Sequence, residues 1–135
     1  MFLPQKTGLI VMDSYKILVV DDEAFIADMS RMALGDIGYD VSCAYNGEQA
    51  IEMAMANHFD LAILDLMLPG MTGIETFEAI RQIAPTIPGI LVSGHASPDT
   101  VDEAIEKGIS AVMQKPLGRV ELVSTVQEAI GVPVA

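Results

Sequence analysis

Three short uninterrupted apolar runs, Ile17-Leu18-Val19-Val20, Leu61-Ala62-Ile63-Leu64 and Gly89-Ile90-Leu91-Val92, are each followed by a stretch with helical spacing of apolar side chains. Runs that are apolar on both faces read as buried strands of a parallel sheet, and parallel neighbours need a crossover, usually a helix. The rest of the chain falls into that frame. Glu23 to Leu34 reads as a helix, with Gly35 or Gly38 as its stop. Tyr39 to Tyr45 is a more polar strand, as suits a sheet edge, and Asn46-Gly47 opens an Ala/Met-rich helix ending near Asn57. Thr72 can cap a helix running to about Ile83, which Pro85 and Pro88 forbid from continuing. Ser97 or Asp99 starts the next helix, with Pro98 tolerated in its first turn and Gly108 past its end. A strand over Ala111 to Gln114 and a helix over Arg119 to Ile130 complete five strand–helix units. No repeat or linker interrupts them, so the expectation is one doubly wound α/β domain over residues 15–131, with tails at 1–14 and 132–135.

The tails and the composition narrow the function classes. Leu9-Ile10-Val11-Met12 is preceded by Pro4, Gln5, Lys6 and Gly8, too short and broken for a spanning helix. Met1 to Asp13 therefore reads as a tail of a cytoplasmic protein, or as a segment packed on the domain. With 19 Asp+Glu against 7 Lys+Arg the net charge is −12, which disfavours binding to a nucleic-acid backbone and favours a basic protein surface as partner. No Trp and 5% aromatic residues argue against a sugar- or base-stacking surface, and the nine Met read as flexible core filler. Cys43, the single cysteine, excludes an internal disulfide and reads as a half-buried strand residue.

The chemistry lies at the strand ends. Asp21-Asp22 closes the first apolar run and Asp65 the third strand. In open α/β sheets, the ligand crevice lies beyond the carboxyl ends of the strands. If these two strands are neighbours, three carboxylates converge and repel, and a hard oxygen-seeking cation such as Mg²⁺ is the economical way to hold them. If they are not, each acid is a solvated strand end or a helix cap. Ser93 and Lys115 follow the fourth and fifth strands. Alone, Ser93 would cap a turn and Lys115 would be a solvated cation.

Taken together, Val19-Val20-Asp21-Asp22-Glu23, Asp65-Leu66-Met67-Leu68-Pro69-Gly70-Met71-Thr72-Gly73, Ser93-Gly94-His95-Ala96 and Lys115-Pro116 resemble the receiver domain of two-component response regulators. The resemblance covers nearly everything from Tyr15 to Ile130. It implies a flavodoxin-like five-stranded parallel sheet of order 2-1-3-4-5 with helices on both faces, and a signalling domain rather than an enzyme. It further implies that Asp65 accepts a phosphoryl group from a phosphohistidine on a histidine kinase or phosphotransfer protein. Mg²⁺ would be held by Asp22 and Asp65, by Asp21 mainly through water, and by the Met67 carbonyl. Lys115 and Ser93 would contact the phosphoryl oxygens, and Pro116 would follow a cis bond.

Two positions depart from the family. Val112 stands where a Tyr or Phe usually precedes the lysine by three residues, and Leu117 replaces a common Phe. His95 occupies a position that tunes the hydrolytic water in the family, Gly73 serves a turn, and His58 reads as surface. In the first helix, Phe25 and Met32 flank the stripe of Ile26, Met29 and Ala33. Burial is the expectation there, with a kinase-docking seam as the alternative. Only Gly131 to Ala135 follow the last helix, so the expectation is a stand-alone receiver or one cut from a larger regulator. An Mg²⁺-dependent phosphatase would show sustained turnover of a small phosphate ester. A flavodoxin-like cofactor binder would present a phosphate-cradling loop in place of the acids.

Overall fold

The computed structural model describes residues 14–131. The tail expected over Met1 to Asp13 and the residues from 132 onward lie outside them. Five strands alternate with five helices: β1 (Lys16–Val20), α1 (Ala24–Gly35), β2 (Asp40–Ala44), α2 (Gly47–Ala56), β3 (Leu61–Asp65), α3 (Gly73–Ile83), β4 (Gly89–Ser93), α4 (Pro98–Glu106), β5 (Ile109–Gln114) and α5 (Arg119–Ile130). All pairings are parallel and the order is β2-β1-β3-β4-β5. Central β3 and β4 are buried along their whole length, while edge strands β2 and β5 are only partly so. That difference is why the polar runs fell at the edges.

Because alternate strand residues face opposite sides, the sheet separates two cores. Ile17, Val19, Ile63, Ile90 and Val92 pack with Leu34, Leu122 and Val126 of α1 and α5. Leu18, Val20, Leu64 and Leu91 pack on the other face with Ala50, Phe77, Ile80 and Ala104 of α2, α3 and α4. The helix starts follow their caps. Asn46 accepts from the Gln49 N–H, Ser97 from the Thr100 N–H, and Thr72 forms a capping box with Glu75. α1 is the exception, since its N-cap Glu23 makes no capping hydrogen bond.

Two expectations about packing are corrected. None of the methionines among the described residues is buried, and Met29, Met32, Met55 and Met67 are well exposed. The core of this parallel sheet is filled by Ile, Leu, Val, Ala and Phe, the stiffer side chains that a close-packed two-sided sheet selects. Likewise Phe25 and Met32 are not core residues but 73% and 64% exposed. Only Ala27, Ser30, Ala33 and Leu34 of α1 are buried, so the inward stripe is narrower and rotated from the one read off the sequence.

Candidate phosphoacceptor pocket

The order β2-β1-β3 means that successive connections leave β1 toward opposite edges, and a crevice opens where the strand order reverses. Val20 pairs with Leu64, so Asp21, Asp22 and Asp65 arrive at the same end of adjacent strands. The three offer carboxylate oxygens within 4.8 Å of one another. Asp21 and Asp65 are buried and Asp22 is exposed. An all-oxygen donor set with one member open to water suits a hard divalent ion that retains water ligands, so the residues present fit Mg²⁺.

Positive charge enters the crevice from β5. The backbone N–H of Lys115 donates to the Ser93 carbonyl at 2.8 Å, and its Nζ reaches Asp65 Oδ2 at 3.0 Å, Glu23 Oε1 at 3.0 Å and Asp21 Oδ2 at 3.2 Å. The Lys115–Pro116 bond is cis, as expected. Burial by itself would lower the Lys115 pKa, but hydrogen bonds to Glu23, Asp65 and Asp21 outweigh it and hold the ammonium above the ordinary lysine range. Asp21 shifts upward. Burial and the neighbouring Asp65 charge together exceed the relief it draws from the Glu23 N–H and Lys115.

The Met67 N–H donates to Asp65 Oδ1 at 3.2 Å while its side chain is exposed. Ser93 is buried at the end of β4, where its hydroxyl accepts from the His95 N–H at 3.0 Å. His95 itself is exposed. Gly73 does more than turn the chain. It opens α3 with its N–H on the Leu66 carbonyl, and a Cβ there would collide with the Asp65 carbonyl. Val112 lines a groove of about 580 Å³ with Ser93, His95, Val101 and Ile105. His58 is an exposed surface residue paired with Asp60 at 2.9 Å. Half-buried Cys43 donates to the Ala27 carbonyl, and burial pushes its thiol pKa up.

Sequence reasoning gave Glu23 no role, although it is the third carboxylate on Lys115. A glutamate where a helix prefers a shorter capping side chain was the available signal.

A family model described as the response regulator receiver domain matches residues 17–127. The chain belongs to that family. This receiver domain is 37% identical over 114 residues to the transcriptional regulatory protein ZraR of Klebsiella oxytoca, covering 84% of this chain and 26% of that protein. It is 36% identical over 112 residues to the luminescence regulatory protein LuxO of Vibrio campbellii, covering 83% of this chain and 25% of that one. The chain thus spans about a quarter of the length of the curated relatives it matches. Among solved structures, it superposes on a CheY-like receiver domain protein of Methanospirillum hungatei with a TM-score of 0.85 at 28% identity, over 88% of this chain and 95% of that one. Vibrio cholerae CheY4 gives 0.82 at 31% identity, over 86% and 98%.

Proposed function

We propose that the unit over residues 15–131 is a phosphoacceptor switch, in which Asp65 takes a phosphoryl group from a phosphohistidine of a histidine kinase or phosphotransfer protein. The observation that carries this reading is the ammonium of Lys115 seated 3.0 Å from Asp65 in a crevice shared with Asp21 and Asp22. An Asp65 oxygen attacks phosphorus, the P–O bond forms as the P–N bond breaks, and the imidazole leaves. Such a transfer asks chiefly for alignment and for neutralisation of the equatorial oxygens. Asp21, Asp22, Asp65 and the Met67 carbonyl would hold Mg²⁺, which when bound supplies charge neutralisation on those oxygens. Lys115 turns from the carboxylate to a phosphoryl oxygen, and the Ser93 hydroxyl donates to another.

The donor docks beside the pocket. Phe25, Met29 and Met32 of α1, with Pro116, Leu117 and Leu122, line an apolar groove of about 420 Å³, and exposed methionines suit an adaptable helical interface. The chain acts as a signalling domain rather than a turnover enzyme, in the cytoplasm, and its phosphorylation alters contacts with a protein partner rather than with nucleic acid. Among the described residues, no helix is long and apolar enough to cross a membrane. Intact mass after incubation with phosphoramidate tests the reading. One added phosphoryl group is expected with Mg²⁺, and none under chelation or in Asp65→Asn; label that persists in that variant overturns it.

A further inference from the structure

Glu23 makes a contact that the transfer just described does not use. It occupies the N-cap position of α1, where Ser, Thr, Asp or Asn would satisfy a free helix N–H, yet its side chain makes no such bond. Instead it reaches across the mouth of the crevice to Lys115 Nζ, 92 residues away in the chain. An ammonium has three donors. Here they face three carboxylates, with hydrogen bonds to Glu23 and Asp65 and an ion pair to Asp21, so a phosphoryl oxygen must compete with them for the ammonium. Of the three, Asp21 and Asp65 are buried and fixed, whereas Glu23 is exposed and can be taken up by water. Phe25 and Pro116, which follow closely on this pair in the chain, line the α1–α5 groove. A donor seated there therefore meets the Glu23–Lys115 pair beside the acceptor.

We infer that Glu23 is a positioning residue that holds Lys115 back from the incoming phosphoryl group and releases it during transfer, so that this grip sets how fast Asp65 is loaded. The inference rests on Asp65 being the acceptor. In the exchange no proton moves: for Lys115 to swing from Asp65 to a phosphoryl oxygen its N–H must also leave Glu23, and the Glu23 carboxylate turns to water. Small phosphodonors, which bring no docking energy to displace the pair, should feel the grip fully.

The test separates grip from charge. Glu23→Ala removes both, while Glu23→Asp keeps the charge on a side chain too short to reach and suited to capping α1. Loading by phosphoramidate with Mg²⁺, followed by intact mass, should be faster than wild type in both variants. The expected gain is about two- to fivefold, the range open to one exposed ion pair. The Lys115 Cε carbon resonance, read without metal or donor, should shift in both variants. A wild-type rate in Glu23→Asp with acceleration only in Glu23→Ala would mean that charge alone matters, and would overturn the inference. Equal rates in all three proteins, or an unmoved Lys115 resonance, would do the same. Absence of label in the wild type would instead remove the acceptor reading, and this inference with it.

Discussion

Replacing Lys115 by methionine nearly keeps the length of the side chain and removes the cation that pairs with Asp65 and Asp21. The Lys115 side chain is 17% exposed, and those of Asp65 and Asp21 are 7% and 5%. Removing one partner of a buried ion pair costs about 3–5 kcal/mol, because the remaining charge is left without compensation. The variant also escapes the burial penalty of the ammonium itself, the largest single influence on Lys115. Glu23, at 61% exposed, is screened by water and adds little. The net loss expected in metal-free buffer is about 2–4 kcal/mol, a fall in Tm of roughly 6–15 °C for a domain this size. Mg²⁺ should recover part of it, by supplying positive charge that binds only the folded state. Acid should recover part as well. Burial already raises the Asp21 pKa, and losing Lys115 raises it further. A carboxyl whose folded pKa exceeds its unfolded value favours folding increasingly as pH falls, so the gap to wild type narrows from neutral pH toward the range where Asp21 titrates. Urea melts with chelator, with Mg²⁺ and across that pH range provide the assay. A loss under about 1 kcal/mol, the scale of surface pairs, or a gap that neither Mg²⁺ nor acid narrows, would refute the reasoning.

Other substitutions probe the surroundings. Gly73→Ala should destabilise by about 1–3 kcal/mol, since the new methyl meets the backbone of Asp65 rather than a flexible side chain; an unchanged urea midpoint would contradict this. Asp22→Asn should be neutral or stabilising by roughly 0.5–2 kcal/mol without metal, as relief of functional-site repulsion, and should lose most of the Mg²⁺-induced rise in Tm. An equal rise in both proteins would place the ion elsewhere. Val112 is β-branched and stiff. It cannot swing a ring into the groove it shares with Ser93 and Ile105, so beryllofluoride with Mg²⁺ should shift the amides from Thr100 to Gln114 less in wild type than in Val112→Tyr. Equal shifts would show that the missing ring does not limit the response.

The sequence reveals the fold where chemistry is local and repetitive. Continuous apolar runs marked β1, β3 and β4, and Thr72, Asn46 and Ser97 announced their helices, because strand burial and capping depend on a few adjacent residues. The convergence of Asp21, Asp22, Asp65 and Lys115 was legible for a related reason: in a parallel sheet all strand ends of one sense share one edge. Surface against core was harder. Phe25, Met29 and Met32 repeat at helical spacing, which fixes a face but not which way it points, and α1 turns Ala27, Ser30, Ala33 and Leu34 inward instead. Glu23 was legible only as a glutamate in an N-cap position that favours shorter side chains, since its partner Lys115 lies 92 residues on in the chain and the contact itself is set by the sheet.

The most direct measurement is chemical localisation of the phosphoryl group. Borohydride reduces an aspartyl phosphate to homoserine, and peptide mapping then reads the position. Homoserine at residue 65 after phosphoramidate and Mg²⁺, and none after chelation, is the predicted result. Homoserine at 21 or 22, or at 65 regardless of metal, would contradict the assignment of Asp65 as the acceptor in an Mg²⁺-holding pocket.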